Sequence, residues 1–255
     1  MKATVCELNA MPHALERDWR RLVEHVATER SDLVLLPEMP FAPWFAVTRE
    51  FDAQVWRSAV LAHDAWLERL VELAPASILG TRPVERHGER LNEAFVWSQA
   101  GGYKAAHHKY FLPNEDGFWE SCWYRPGDGS FDLTPVGDAR VGFQICTELW
   151  AMDQARAYGK AGAHIIATPR ATPQSTLEKW LIGGRAAAVC AGAYSLSSNH
   201  VSDQGDTAQL GGQGWIAGPD GEIIGITTKG LPVVSAEIDL ACAEHAKSTY
   251  PRYVF

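Results

Sequence analysis

The clearest strand in the sequence lies at residues 32–37, which read DLVLLP. The run is apolar throughout and lacks the alternation of a strand with one solvated face, so we expect it to be buried on both faces. Such a strand belongs to a sheet that is covered by helices. The flanking sequence agrees, because apolar residues recur at helical spacing before it (residues 15–26) and after it (residues 51–73, stopped by Pro75).

The alternation of strand and helix continues along the chain. Apolar runs predict further strands at residues 3–8, 77–81, 92–98, 102–109, 140–146, 164–168, 194–199, 214–226 and 233–238. Helices are predicted near residues 149–158 and 175–191. Residues 110–138 are rich in Pro, Gly and Asp and have no clear period, so we interpret them as a long functional loop.

This pattern predicts a single α/β domain over residues 1–255, because no repeat or low-complexity linker divides the chain. The last two strand candidates resemble a hairpin, which favours a mixed sheet over a purely parallel one.

Composition restricts the class of protein. The 255 residues carry a formal net charge of −8, which argues against nucleic acid or an anionic membrane as the main partner. The first residues, MKATVCELNA, lack the apolar core of a signal peptide, and no run approaches the roughly 18 apolar residues of a membrane helix. The five cysteines form no C-x-x-C pair and leave one over, which favours a reducing, cytoplasmic compartment.

Three ionisable residues follow or end predicted strands. Glu38 follows residues 32–37, Lys109 ends the strand at 102–109, and Cys146 ends the strand at 140–146. Ligands of open α/β sheets bind at the carboxyl ends of strands, so we expect these side chains to converge. The carboxylate can take the proton of the thiol, and the ammonium, aided by the backbone N–H of Thr147, can stabilise an oxyanion.

The segments around these residues are LLPEMPF (35–41), HHKYFLP (107–113) and GFQICTELW (142–150), and together they resemble the motifs of the nitrilase superfamily of carbon–nitrogen hydrolases. That resemblance implies a Glu-Lys-Cys triad at Glu38, Lys109 and Cys146. It also implies a second catalytic glutamate, Glu120, which precedes the Pro-Gly-Asp at 126–128 with the family's spacing. Four weaker landmarks of the family also occur along the chain in the family's order: LNEA (91–94), GGRAAA (183–188), SSNHV (197–201) and GPDGEIIG (218–225).

The resemblance further implies a four-layer αββα sandwich with mixed β-sheets, assembled as a homodimer or a higher homo-oligomer. No cofactor and no metal is expected. The branch of the family stays open, because Cys-Thr-Glu stands at 146–148 where true nitrilases have Cys-Trp-Glu. The length of the loop at 109–128 resembles that of N-carbamoyl-amine amidases, which favours an amide or ureido substrate over a nitrile.

Several residues have alternative interpretations. Cys122 is a rival nucleophile because it lies near Glu120, and Glu115 is a rival for the second glutamate. Cys6 and Cys190 lie in apolar patterns and are predicted to be buried in the core. The pair at 107–108 (His-His) lacks the neighbours of a known zinc motif, so we do not interpret it as a metal site.

Five residues are candidates for substrate binding. Trp44, Phe45 and Trp119 are expected to line an aromatic pocket, although packing in the core is nearly as plausible a role. Arg170 follows the strand at 164–168 and is either a partner for a substrate carboxylate or a surface charge. Glu148 either meets a substrate amine or orients the local backbone.

The expected function is hydrolysis of a non-peptide carbon–nitrogen bond in a small amide. The reaction would pass through a thioester on Cys146 and release ammonia or an amine. An N-carbamoyl-amine hydrolase or a nitrilase would use the same residues. A catalytically idle binding or scaffold protein on the same fold is the alternative outside enzymes.

Overall fold

The computed structural model describes residues 1–203, 206 and 208–254. The strands are β1 (Lys2–Leu8), β2 (Leu33–Leu35), β3 (Ser77–Arg86), β4 (Glu89–Ser98), β5 (Gly102–His108), β6 (Thr134–Val136), β7 (Ala139–Phe143), β8 (Ile165–Arg170), β9 (Tyr194–His200), β10 (Trp215–Ala217), β11 (Ile223–Ile226) and β12 (Val233–Glu237). The helices are α1 (Pro12–Glu29), α2 (Ala53–Leu67), α3 (Glu120–Trp123), α4 (Met152–Lys160), α5 (Leu177–Ala191) and α6 (Leu240–Ala246).

The strands form two halves joined through β1. The hydrogen-bonded order is β5-β4-β3-β2-β1-β9-β8-β7-β6, with β12 beside β1, and with β10 pairing both β9 and β11. Pairing is parallel from β3 through β2, β1, β9 and β8 to β7, and antiparallel at both edges. The mixed sheet expected from the sequence is therefore confirmed. At the junction, the last residues of β1 pair with β9, Glu7 with Asn199 and Leu8 with His200.

The apolar side chains of β1 point alternately into two separate cores. Ala3 and Val5 belong to the core between the two sheet halves, which α5 also contacts. Cys6 and Leu8 belong to the core under α1, together with residues of the 3₁₀ helix Glu68–Leu73. Because both faces of the central strands are buried, helices lie outside each half, which is the predicted four-layer αββα arrangement.

The ends of the helices follow local capping chemistry. The side chain of Asp52 accepts hydrogen bonds from the backbone N–H groups of Gln54 and Val55 and so starts α2. At the other end, α2 continues as the 3₁₀ helix and stops before Pro75, as predicted. α5 ends at Gly192, whose φ of 59° suits a glycine. Among the described residues, no helix has both the length and the apolar character needed to cross a membrane.

Three details differ from the sequence prediction. The strand predicted to reach Cys146 ends at Phe143, and Cys146 opens a short 3₁₀ helix, Cys146–Trp150. The reason is that Cys146 has a φ of 49°, in the left-handed region, which a strand does not accommodate. The predicted loop at 110–138 contains α3 and β6. Cys6 is buried as predicted, but Cys190 is exposed, because it lies on the outer side of α5.

Candidate active site

Glu38 lies just beyond β2, and its backbone is fixed by two other strands. Its N–H donates to the carbonyl of Arg170 (3.3 Å), and its carbonyl accepts a hydrogen bond from Nε2 of His200 (2.5 Å). The side chain is fully buried, and Oε1 accepts hydrogen bonds from Nζ of Lys109 and Nδ2 of Asn92, each at 2.8 Å. Oε2 has no hydrogen-bond partner within the described part of the chain. One oxygen is therefore held in place and the other is free to act as a base.

Lys109 follows β5 and is also fully buried. Its Nζ lies 2.8 Å from Oε1 of Glu38 and 2.7 Å from Oε2 of Glu120. Its carbonyl accepts a hydrogen bond from the N–H of Gly127 (2.9 Å), and a Cβ at Gly127 would lie 2.3 Å from the carbonyl oxygen of His108. The glycine of the Pro-Gly-Asp turn is thus required because the two backbones approach closely.

Glu120 begins α3 and completes the ion cluster. Its carboxylate accepts hydrogen bonds from Nζ of Lys109 and from the hydroxyl of Tyr124. Burial and the charge of Glu38 raise the pKa of Glu120 to about 7, although Lys109 acts in the opposite direction. For Lys109 itself, burial lowers the pKa, but the charges of Glu120 and Glu38 outweigh burial and raise it, so the ammonium stays protonated.

Cys146 stands at the turn between β7 and the 3₁₀ helix. Its positive φ turns the thiol away from the path of the strand, and the side chain is only 3% exposed. Burial and the charge of Glu38 raise the pKa of the thiol, against the opposing effects of Lys109 and of the backbone of Ala171, which lower it. The resting thiol is therefore protonated and needs a base to become a nucleophile.

Glu148 links the segment of Lys109 to that of Cys146. Its buried carboxylate accepts hydrogen bonds from the backbone N–H of Tyr110 (2.7 Å), the backbone N–H of Ile145 (2.8 Å) and Nε2 of His107 (2.9 Å). Of the two roles considered for this residue, the contacts correspond to orientation of the backbone.

A cavity of about 290 Å³ opens beside the thiol. Cys146 and Thr147 form part of its wall, with aromatic side chains from the loop after β5, from the 3₁₀ helix and from α5. The lining residues are Pro113, Glu115, Phe118, Cys146, Thr147, Trp150, Ala171, Thr172, Pro173, Thr176, Lys179 and Trp180. A small organic molecule would fit there with its reacting group at the sulfur.

A family model described as carbon-nitrogen hydrolase matches residues 2–248. The chain belongs to the carbon–nitrogen hydrolase family. It is 29% identical over 245 residues to the chloroplastic omega-amidase of Arabidopsis thaliana, a match that covers 91% of this chain and 65% of that protein. It is 24% identical over 250 residues to N-carbamoylputrescine amidase of Oryza sativa subsp. japonica, covering 90% of this chain and 81% of that protein.

A solved structure has the same fold as this carbon–nitrogen hydrolase. The crystal structure of a carbon–nitrogen hydrolase from Helicobacter pylori G27 superposes with a TM-score of 0.87 at 19% identity, covering 100% of this chain and 94% of that one. The family match confirms the resemblance to the nitrilase superfamily and the predicted enzyme class. The likeness in structure confirms the predicted fold.

Two of the predicted aromatic candidates, Trp44 and Phe45, line a separate cavity of about 1070 Å³ in this carbon–nitrogen hydrolase. Trp44, Phe45 and Trp119 all lie outside the lining of the cavity at Cys146. Trp44 packs behind it, with its ring 5.9 Å from that of Phe118, which does line the cavity. Phe45 packs in the core against Trp123, and Trp119 is covered by the guanidinium of an arginine at 4.0 Å. Trp44 and Phe45 thus combine the two roles that were considered, in a cavity wall and in core packing, whereas Trp119 packs against the same core cluster.

Arg170 is neither a surface charge nor part of the cavity wall. Its side chain is fully buried, and each guanidinium nitrogen donates inside the protein: Nε to Ser197 (2.7 Å), Nη1 to Thr172 (2.7 Å) and Nη2 to the carbonyl of Gln213 (2.5 Å). The guanidinium also lies 4.2 Å from the ring of Trp215. Burial lowers the pKa of Arg170 to about 9. We therefore withdraw its expected role as a partner for a substrate carboxylate.

The structure also settles the position of the rival residues. Glu115 is exposed at the edge of the cavity and does not contact Lys109, whereas Glu120 does. Cys122 lies in α3 with its sulfur 3.8 Å from Oδ1 of Asn114 and does not line the cavity. Within the described ranges, no group of three His, Cys, Asp or Glu side chains could hold a metal ion.

Sequence reasoning missed two residues that support the ion cluster. Asn92 holds Glu38, and it belongs to LNEA, which was noted only as a weak landmark. Tyr124 holds Glu120 and had no signal of its own, since a tyrosine in an irregular loop is not distinctive. The lining residues from α5 were also missed, because a contact between the start of α5 and Cys146 depends on the tertiary fold.

Proposed function

We propose that the protein hydrolyses the carbon–nitrogen bond of a small non-peptide amide through a thioester on Cys146. The observation that carries the proposal is the unpartnered, buried Oε2 of Glu38, whose other oxygen is held by the ammonium of Lys109. A base that is fixed at one oxygen and free at the other is what a protonated thiol requires. The family match and the amidase relatives support the same chemistry.

In the proposed first half-reaction, the sulfur of Cys146 attacks the carbonyl carbon while Oε2 of Glu38 accepts the thiol proton. The oxyanion that forms is stabilised by Nζ of Lys109 and the backbone N–H of Thr147. The carbon–nitrogen bond then breaks, and Glu38 returns the proton to the leaving nitrogen. Ammonia or an amine departs and leaves the acyl group on the sulfur.

In the second half-reaction, a water molecule attacks the thioester and gives its proton to Glu38. The carbon–sulfur bond breaks, the carboxylic acid leaves, and the thiol regains the proton. We assign Glu120 the role of a positioning residue, since it pairs with Lys109 on the side opposite Glu38 and keeps the ammonium between the two carboxylates.

An ammonia-release screen tests this function. Wild-type protein should release ammonia from at least one small primary amide, and Cys146→Ala should release none while it keeps its thermal unfolding midpoint. Ammonia release by Cys146→Ala at the wild-type rate would contradict the proposal, and Cys122→Ala would then identify or exclude the rival thiol.

Two other reactions use the same residues on different substrates. A carbamoyl amine would yield carbon dioxide besides ammonia and an amine, and the rice relative is named for such an activity. A nitrile would yield an acid and ammonia, as an amide does. Carbon dioxide identifies the first reaction, and the substrate that is consumed in the same screen distinguishes a nitrile from an amide. Failure of iodoacetamide to label Cys146 selectively would instead favour the idle scaffold.

We further propose that the protein acts in the cytoplasm as a homodimer or a higher homo-oligomer, without a cofactor. The odd number of cysteines, all of them unpaired, is compatible with a reducing compartment. Cell fractionation tests the location, and the oligomeric state is considered below.

A further inference from the structure

Two charged side chains at the cavity beside Cys146 have no role in the proposed chemistry. Glu115 comes from the loop after β5, and Lys179 comes from the first turn of α5. Both are exposed at the edge of the cavity. In the part of the chain that the structure describes, neither forms an ion pair. They are therefore available to a ligand.

These two residues are the charged groups that the lining offers at its edge. Among the lining residues that the structure describes, Lys179 is the single cation and Glu115 the single carboxylate. Arg170 does not compete for an anion, because its guanidinium is engaged by Ser197, Thr172 and Gln213. A ligand that places its amide at Cys146 thus meets one charge of each sign from two different segments of the chain.

The remaining wall suits a short aliphatic chain. Phe118, Trp150 and Trp180 contribute apolar surface, and the rings of Trp150 and Trp180 lie 5.2 Å apart. The volume of about 290 Å³ is large enough for a free amino acid.

We propose that the cavity selects a zwitterionic primary amide, namely a free α-amino acid whose side chain ends in a carboxamide, as in glutamine. Lys179 meets the α-carboxylate, Glu115 meets the α-ammonium, and the carboxamide lies at Cys146. A neutral amide would gain no binding energy from either charge. A purely anionic amide would be repelled by Glu115 and by the net charge of −8. This inference rests on the proposed function, since it requires amide hydrolysis at Cys146.

Four amides that share the butyramide skeleton test the selection. Glutamine carries both charges, glutaramate lacks the ammonium, γ-aminobutyramide lacks the carboxylate, and butyramide lacks both. An ion pair at an exposed edge contributes up to about fivefold. Wild-type kcat/KM, measured by ammonia release at low salt, should therefore be about twentyfold higher for glutamine than for butyramide, and the ratio should decrease as salt is added.

Single variants test which residue of the protein recognises each charge of the substrate. Lys179→Met should lower the preference for glutamine over γ-aminobutyramide about fivefold, and Glu115→Gln should lower the preference for glutamine over glutaramate by a similar factor. The control Lys160→Met makes the same change of net charge as Lys179→Met, but at the exposed end of α4, away from the cavity. It should keep the wild-type ratios. All three positions are exposed, so folding should be unaffected.

The possible outcomes distinguish this inference from the proposed function on which it rests. Two results would overturn the selection of a zwitterionic substrate while leaving amide hydrolysis intact. One is equal kcat/KM for glutamine and butyramide, and the other is that variants at Lys179 and Glu115 keep the wild-type ratios. Hydrolysis of carbamoyl amines or nitriles alone, with no ammonia from any of the four amides, would overturn both.

Discussion

The ammonium of Lys109 lies between two buried carboxylates, close enough to act on the charge of the thiol. Lys109→Met should lower kcat by about a hundredfold or more, because an oxyanion donor acts mainly in the transition state. Steady-state kinetics with the amide found in the screen measures the effect. A rise in KM with unchanged kcat would show instead that Lys109 binds substrate in the ground state.

Glu120 gives the site a pH dependence. Its pKa is raised to about 7, so at lower pH the carboxyl is protonated and no longer balances the charge of Lys109. We expect kcat/KM to rise with pH through about 7, and Glu120→Gln to remove this dependence and to slow turnover about a hundredfold. Alkylation of Cys146 by iodoacetamide should persist in the variant, because it needs no oxyanion. Near-normal turnover in Glu120→Gln would contradict the assignment.

The same shift in pKa affects folding. The pKa of Glu120 is above its ordinary value of 4.5, so the folded protein binds more protons than the unfolded chain between about pH 4.5 and about pH 7. The free energy of unfolding should therefore decrease as the pH rises through this window. Urea unfolding at a series of pH values measures the slope, which should be smaller in Glu120→Gln. Identical slopes in the two proteins would show that Glu120 titrates normally.

At the scale of the elements, Glu148 holds the end of β5 against the end of β7. In Glu148→Gln, the amide group faces N–H donors and leaves at least one of them without an acceptor, at a cost of about 1–3 kcal/mol. We expect a lower thermal unfolding midpoint and a lower kcat, because the segments of Lys109 and Cys146 lose their shared anchor. Calorimetry and kinetics check the two effects. The exposed Glu178→Gln is the control, and a stability equal to that control would contradict this role.

The elements also show what the sequence could predict. Glu38, Lys109 and Cys146 each follow a strand closely, and parallel strands end at one edge, so their convergence was predictable. Trp44 and Phe45 line a cavity other than the one at Cys146, and the sequence could not distinguish the two, because an aromatic residue in an aperiodic loop packs equally well in a core or in either cavity wall. The sequence predicted a strand up to Cys146, where the structure has a turn. The positive φ of Cys146 depends on the hydrogen bonds around it and does not alter the apolar pattern.

At the scale of the whole molecule, β1 joins the two sheet halves and brings Glu38 and Cys146 into one site. The apolar pattern predicted a sheet covered by helices, and the family resemblance implied the four layers. The pairing of β1 with β9 joins Glu7 to Asn199 and Leu8 to His200, far apart in the sequence, which local patterns do not encode. The charges at the cavity edge were missed for the same reason. Glu115 and Lys179 are ordinary surface residues until the fold brings them to one opening.

The family resemblance predicts a homodimer, and we propose that exposed apolar side chains form its interface. Ile182 on α5 is 64% exposed, and Trp150, whose ring lies 5.2 Å from that of Trp180 on the same helix, is also exposed. Light scattering at micromolar concentration should give at least twice the chain mass of 28.1 kDa. Ile182→Asp should weaken the assembly, whereas Leu61→Asp, at an equally exposed site on α2, should not. A monomeric wild-type protein would contradict the prediction.

The central claim is that the acyl group passes through the sulfur of Cys146. Rapid acid quenching of wild-type protein during turnover of an amide, followed by peptide mass spectrometry, tests it most directly. The account predicts a mass increase equal to the acyl group on the peptide that contains Cys146, removable by hydroxylamine and absent from Cys146→Ala. An acyl group on Cys122 instead, or turnover by Cys146→Ala at the wild-type rate, would contradict it.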